Sequence, residues 1–406
     1  MSTKFVRNIS IVAVMSLTMA IALVACGSDP TPTPKPAAPA AAAPTATPVP
    51  ATDNSSAAPA PTATPVPAAP EFDAEGYFKG KTIRMMVGYN PGGGTDAQAR
   101  FMSRAWPKFI PGNPRIVVTN MTPNVTQRNF VWNSKADGLT LSVEATAGIY
   151  DQNSPSAEFD MREVSMVGVT SGKDQFWMTL GTTGYGCLET AFNATGPTLT
   201  VGTSAPTPAD LGSVVAIPWM ADQFNIPLEI KNVAAAGSAE QYLMLERGDV
   251  NSWTSSTVWN QLPITRPGWV ESGFLKPFAD MSFPGFFLEP NSEGEYGCPK
   301  VESFFDKDDQ LPTWLAITGP RTYASKNIIG PPGMAEGPLN ALRAALEAAM
   351  SDEGYAADQV RFTGIPNNFT PGAQAQKELR ETTQAFIDNA SKIDDISKAA
   401  FEKYVK

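Results

Sequence analysis

Residues 82–100 read TIRMMVGYNPGGGTDAQAR, and the rest of the chain is best placed by working outward from them. Ile83, Met85 and Val87 open a short apolar run of strand character, which Asn90-Pro91 ends. Gly92, Gly93 and Gly94 then form a loop without side chains, followed by Thr95 and Asp96. From Ala97 onward the spacing of Phe101, Met102, Ala105 and Trp106 predicts a helix. A strand, a bare loop and a helix start aim backbone N–H groups and the positive end of a helix dipole at one place. Such a place suits an anion, and a carboxylate as well as a phosphate.

Three readings of the loop compete. Gly92, Gly94 and Ala97 fit the dinucleotide fingerprint G-x-G-x-x-A, but the acid expected about 20 residues on is replaced by Asn120. A phosphate-binding P-loop needs Gly-Lys-Ser/Thr, and no lysine follows these glycines. The third reading is a tight turn feeding an ordinary helix.

The composition narrows the chemistry. The 406 residues contain no histidine, which removes Ser-His-Asp and Cys-His nucleophiles, His-rich zinc sites and imidazole acid–base work. A formal net charge of -10 argues against a nucleic-acid partner. The start of the chain has the pattern of an export signal: Lys4 and Arg7, then an apolar core over residues 9–22. It ends in Leu23-Val24-Ala25-Cys26-Gly27, which resembles the bacterial lipobox, so Cys26 is the expected lipidation site. Without residues 1–25 the chain keeps 28 basic and 40 acidic side chains, a formal -12. An acidic surface does not recruit an anion over long distance, so local dipoles must hold it.

Residues 27–70 are almost entirely Pro, Ala, Thr and Ser, and APTATPVPA occurs at both 43–51 and 60–68. Such a tract cannot bury a core, and its prolines favour an extended tether. The folded part is expected from about Phe72. Strands are predicted at 115–120, 139–145, 164–170 and 176–180, with a helix reaching Ala136 and a turn at Asp137-Gly138. A second α/β unit is predicted from a strand at 199–203, a helix at 208–224, a strand at 228–233, a helix at 239–247 and a strand at 250–254. Later elements are strands at 273–279 and 314–318 and helices at 339–350 and 374–392. A chain that builds one α/β lobe, then another, and returns makes a cleft with hinges. Ligands of open α/β sheets sit at the carboxyl ends of strands, where Thr146, Thr203, Ser204, Thr207, Gly237 and Ser238 are expected.

These motifs together resemble the solute receptors of tripartite tricarboxylate transporters, the Bug-type periplasmic binding proteins. The PGGGTD loop at 91–96 carries the resemblance most specifically. Thr119-Asn120, the turn ADGLT at 136–140, the loop at 233–238 and the helix end at 245–251 add to it. The family's Tyr-Lys-Gly-Gly-Gly loop here reads VAAAGS, and the segment between Leu180 and Thr203, which carries Cys187, is not family-typical. The likeness covers most of residues 81–392. It implies a two-lobe periplasmic-binding-protein-like α/β fold of type II, each lobe a mostly parallel sheet flanked by helices. The expected division is a lipoprotein signal peptide at 1–25, a lipidated Cys26 and disordered tether at 26–71, lobe I at 72–181, lobe II at 182–298, and a return to lobe I with C-terminal helices at 299–406.

The function implied is capture of a small carboxylate-bearing anion between lobes and delivery to integral-membrane permease subunits. The protein would be a monomer without a cofactor, lipid-anchored on the outer side of the cytoplasmic membrane. First-lobe ligand contacts are expected at Tyr89, Gly92, Gly93, Gly94, Thr95 and Asp96, although Asp96 also reads as a helix cap without ligand contact. Second-lobe hydroxyls before a helix carry the same double reading. Cys187 and Cys298 most economically form a disulfide in an exported protein, with two reduced buried thiols as the alternative. Two thiolates without histidine make a metal site improbable, and the acid runs at 306–309 and 394–395 lack the spacing of a calcium loop. The rival functions are a tethered carboxylate-dependent hydrolase, which needs two poised acids, and a receptor feeding a signalling partner.

Overall fold

The strand Thr82–Val87 (β1) buries Ile83, Met85, Met86 and Val87 because it lies at the interior of a sheet with helices on both faces. This computed structural model describes residues 72–145, 148–171, 175–203, 207–208, 211, 214–233, 238–255, 258–282, 297–322, 325–365 and 367–406. The export segment, Cys26 and the tether lie outside them. All the described residues belong to one unit, Ala69–Lys406.

The chain opens with α1 (Ala74–Phe78), β1, α2 (Gly94–Ala105), β2 (Arg115–Asn120), α3 (Asn124–Trp132), β3 (Thr140–Glu144) and β4 (Ser165–Ser171). It continues through β5 (Phe176–Leu180), β6 (Leu199–Thr203), α4 (Ala216–Phe224), β7 (Leu228–Asn232), α5 (Ser238–Arg247), β8 (Ser252–Ser255), α6 (Val258–Thr265) and β9 (Leu275–Asp280). Then come α7 (Gln310–Thr322), β10 (Ser325–Gly330), α8 (Glu336–Ser351), α9 (Glu353–Thr363), β11 (Thr370–Pro371), α10 (Gly372–Asp388) and α11 (Ala390–Tyr404).

Two sheets result, one per lobe, in the orders β11-β4-β10-β3-β1-β2 and β7-β6-β8-β5-β9. β1 pairs in parallel with β2 and β3, and β6 in parallel with β7 and β8. The remaining pairs are antiparallel. The reason is the route of the chain. β4 runs toward the lobe boundary and leaves; β5 enters the second lobe from there, and β10 enters the first lobe from there on the return. A strand that starts at the boundary must oppose neighbours that end at it. Both lobes are therefore mixed sheets: β1, which feeds the glycine loop, lies between two parallel neighbours, and β7, which feeds α5, is an edge strand parallel to β6.

Each sheet is packed on both faces. In the first lobe Ile83, Phe101, Trp106 and Leu346 lie on one side, and Ile149, Met161, Met166 and Phe386 on the other. In the second, Trp177, Leu199, Met220 and Trp314 form one layer and Phe176, Tyr242, Trp253 and Leu275 the other. Cys187 and Cys298 are joined by a disulfide.

Several sequence expectations change. Phe176–Leu180, expected in the first lobe, pairs with β8 and β9 in the second sheet. Trp314–Thr318, expected as a strand, lies inside the helix α7. Its burial of Trp314, Ile317 and Thr318 and exposure of Leu311 and Leu315 follow a helical period, which a five-residue apolar run is too short to display. β10 was not expected, because SKNIIG puts three polar residues, Ser325, Lys326 and Asn327, into a fully buried strand. The single helix expected at 374–392 is two helices, α10 and α11, broken at Asn389, whose side chain turns back to Ala385 O at 2.8 Å. α10 packs on β4, whereas α11 crosses to the second lobe. There Tyr404 Oη donates to Asp222 Oδ1 at 2.7 Å and Lys406 N donates to Ile230 O. The range 299–406 thus serves both lobes.

Candidate functional site

The glycine loop is shaped by three different demands. Gly92 has φ +89°, the left-handed region that favours glycine. Gly93 is the N-cap of α2 in an extended conformation, and a Cβ built on it would lie 3.7 Å from Ser238 N in the other lobe. A Cβ on Gly94 would come within 2.4 Å of Gln261 Oε1, from α6. Gly94 is therefore small because Gln261 of the second lobe lies against it, whereas Gly93 meets that lobe only at ordinary contact distance.

Asp96 braces this loop. Its carboxylate accepts from Gly92 N at 3.0 Å, from Arg100 Nε at 2.8 Å and from Asn120 Nδ2 at 2.9 Å, and Asn120 Nδ2 also donates to Tyr89 O at 2.9 Å. The arrangement is a variant of the capping box, with the third helical residue reaching back past the N-cap. Burial pushes the Asp96 pKa up, but the bonds from Arg100, Gly92 and Asn120 and the charge of Arg100 outweigh it and hold the group below the usual carboxylate range. Of the amides expected to serve a ligand, that of Gly92 is spent on Asp96. The first helical bond of α2 is Ala97 N to Gly93 O, so Gly94, Thr95 and Asp96 supply the amides of its open first turn. Thr95 is buried, 5% exposed. Tyr89 is half-buried against the first-lobe core.

The second lobe answers with the N-terminus of α5, which starts at Ser238. The starts of two helices, one per lobe, thus come into contact across the boundary at Gly93 and Ser238. Thr203 ends β6, 9% exposed, and its carbonyl accepts from Val233 N at 2.8 Å. Thr207 is exposed. Thr146, Ser204 and Gly237 lie outside the described residues.

Three groups at this junction carried no functional assignment from sequence. Asn90 Nδ2 donates to Glu240 Oε1 at 2.6 Å, linking the glycine loop to the first turn of α5. Gln261, 1% exposed, lies over Gly94. Asn90 stands inside the quoted stretch, and Glu240 reads as an ordinary acid in a first helical turn; nothing local marks Gln261.

A buried ion cluster stiffens the neighbouring end of β3. Arg128 donates to Glu144 Oε2 at 2.7 and 3.1 Å and pairs with Asp151. Ser142 Oγ donates to the other Glu144 oxygen and accepts from Gln127 Nε2 at 2.7 Å. Burial works against the Arg128 charge, yet Glu144, Asp151 and the Tyr89 phenol raise its pKa above the ordinary arginine value. A Cβ on Gly148 (φ +72°) would reach 2.5 Å from Arg128 Nε, so the chain after β3 passes directly over the guanidinium. Among the described residues no group of three or more His, Cys, Asp or Glu could hold a metal ion.

No protein-family model and no curated protein matches the chain. Solved structures do. A TctC solute-binding protein from Polaromonas, without ligand, is 17% identical with a TM-score of 0.50, over 80% of this chain and 98% of that one. MatC from Rhodopseudomonas palustris with bound malate is 14% identical with a TM-score of 0.54, over 78% and 99%. Rpa4515 of R. palustris with adipate is 17% identical with a TM-score of 0.58, over 78% and 97%. The fold of this chain is the two-lobe fold of these proteins.

Proposed function

We propose that this chain is an exported solute receptor of the tripartite tricarboxylate type, which closes its two lobes on a small organic anion bearing a carboxylate. The observation that carries the reading is the meeting of two helix N-termini, one from each lobe, at Gly93 and Ser238. Each contributes roughly half a positive charge and several amides without helical partners. A carboxylate between them accepts charge-assisted hydrogen bonds, each worth about 1.5–3 kcal/mol. Because the donors come from both lobes, the anion binds best when the lobes are together, and binding drives closure. Asp96 belongs to the framework that shapes the loop, with its carboxylate turned onto Gly92 and Asn120.

The likeness to malate- and adipate-bound structures supports the class of ligand. The lipobox pattern at Cys26 and the proline-rich tract support a lipid anchor and a tether holding the lobes away from the membrane, within reach of permease subunits. The role is binding and delivery without turnover. The experiment is a thermal-shift and calorimetric panel of mono-, di- and tricarboxylates, run beside hydrolysis assays on esters and glycosides. Saturable stabilisation by a carboxylate without turnover supports the reading. Turnover, or no stabilisation by any small anion, contradicts it.

A further inference from the structure

Glu240 puts a carboxylate beside the anion cradle. It stands two residues after Ser238, in the first turn of α5. One oxygen accepts from Asn90 of the opposite lobe at 2.6 Å. The other, Oε2, is buried and has no hydrogen-bond partner among the described residues. The next residue, Gln241, is 7% exposed; its Nε2 donates to Gly202 O at 3.2 Å, and its Oε1 is likewise buried without a donor. The first turn of α5 therefore carries, behind the amides at its start, two buried oxygen atoms, Glu240 Oε2 and Gln241 Oε1, that accept and cannot donate.

A buried carboxylate oxygen without a donor is costly, and a protein keeps one where something else supplies the donor. Two cations of the first lobe are engaged elsewhere: Arg100 with Asp96, and Arg128 with Glu144 and Asp151. Two helix N-termini together supply about one positive charge, and Glu240 one negative. A dianion leaves its second carboxylate facing Glu240, and such like-charge contact in a closed, dry cleft is strongly unfavourable. A ligand with a carboxylate at one end and an ammonium group at the other balances both.

Building on the receptor reading above, we infer that the physiological ligand is a zwitterionic amino carboxylate, and that Glu240 is the specificity-determining residue that accepts from its ammonium group. The ligand would then differ in class from the malate and adipate bound in those solved structures.

The test compares ligands matched in length: succinate with β-alanine, glutarate with 4-aminobutyrate, adipate with 6-aminohexanoate, and malate with a set of α-amino acids. Calorimetry is run on the native protein and on Glu240→Gln, whose amide oxygen still accepts from Asn90. The native protein is expected to bind its best amino carboxylate about tenfold or more tighter than the matched dicarboxylate. Glu240→Gln is expected to remove or reverse that preference while its ligand-free melting temperature stays near the native value. Dicarboxylates that bind the native protein more tightly, or a preference that Glu240→Gln leaves unchanged, overturn the inference and leave the receptor reading standing. Should neither class bind, the receptor reading fails and the inference fails with it. If the glutamine variant does not fold, Asn90→Asp places a second carboxylate at the same spot. It is expected to weaken dicarboxylates further, and equal weakening of both classes overturns the inference.

Discussion

Asn90 Nδ2 lies 2.6 Å from Glu240 Oε1, and that bond ties the glycine loop of one lobe to the first turn of α5 in the other. The two residues are 150 positions apart in sequence, so the contact exists only when the lobes are together. Removing the donor leaves a part-buried carboxylate with less support, at a cost of about 1.5–3 kcal/mol for a bond to a charged group. Asn90→Ala is therefore expected to favour the open arrangement. Small-angle scattering should show a larger radius of gyration for the variant, and ligand affinity should fall by roughly tenfold or more.

Gly94 is kept small by Gln261. A methyl group there would enter the space of the Gln261 carboxamide, 2.4 Å from Oε1 and 2.7 Å from Nε2. Those atoms are the end of a flexible side chain, but Gln261 is only 1% exposed and has little room to turn. Gly94→Ala should fold normally and bind its ligand several-fold more weakly. Adding Gln261→Ala to Gly94→Ala should recover part of the loss, as read by calorimetry on both variants.

The Asp96 brace has a defined pH dependence. Its folded pKa lies below that of an unfolded aspartate, about 3.9. The brace therefore contributes fully above the unfolded value, and its contribution is lost as pH falls through the folded one. Asp96→Asn should destabilise the protein by about 1–3 kcal/mol at pH 7. The difference from native should shrink at pH 3 and below. Denaturant unfolding at both pH values measures it.

The Cys187–Cys298 bond joins residues 111 apart in sequence. A closed loop of that length restricts the unfolded chain strongly, so Cys187→Ser with Cys298→Ser is expected to cost about 2–5 kcal/mol. Neither cysteine lies among the loop residues of the site, so ligand affinity of the folded double variant should remain near native. Peptide mapping under non-reducing conditions should recover the linked pair.

Local pattern carried much of this fold and stopped where structure became non-local. The passage from β1 through the glycines into α2 is legible because apolar run, turn residues and helical spacing follow one another within twenty residues. β2, β3, β6, β7 and α5 are legible for the same reason. β10 is not, since its buried Ser325, Lys326 and Asn327 owe their place to neighbours brought in from β3 and β4. α7 reads as a strand because only five of its residues are apolar in sequence. In the site, the glycine loop announces itself, but the loss of the Gly92 amide to Asp96 depends on a backbone turn that composition does not specify. Asn90, Glu240 and Gln261 meet across the lobe boundary, and a contact between distant segments leaves no periodicity to find.

The amides at the start of α2 are the centre of the account, and Gly93 offers direct access to them. It is the N-cap, its φ of -83° is open to any residue, and a Cβ there meets Ser238 N only at ordinary contact distance, 3.7 Å. Aspartate is a favoured N-cap whose carboxylate accepts from the amides of the first turn. Gly93→Asp should therefore fill the cradle with the protein's own carboxylate, and Gly93→Ala should leave it open. Calorimetry of both variants with the best-binding carboxylate of the native protein is the decisive measurement. The expected result is a folded Gly93→Asp protein that no longer binds, beside a Gly93→Ala protein that does; undiminished binding by a folded Gly93→Asp would contradict the account.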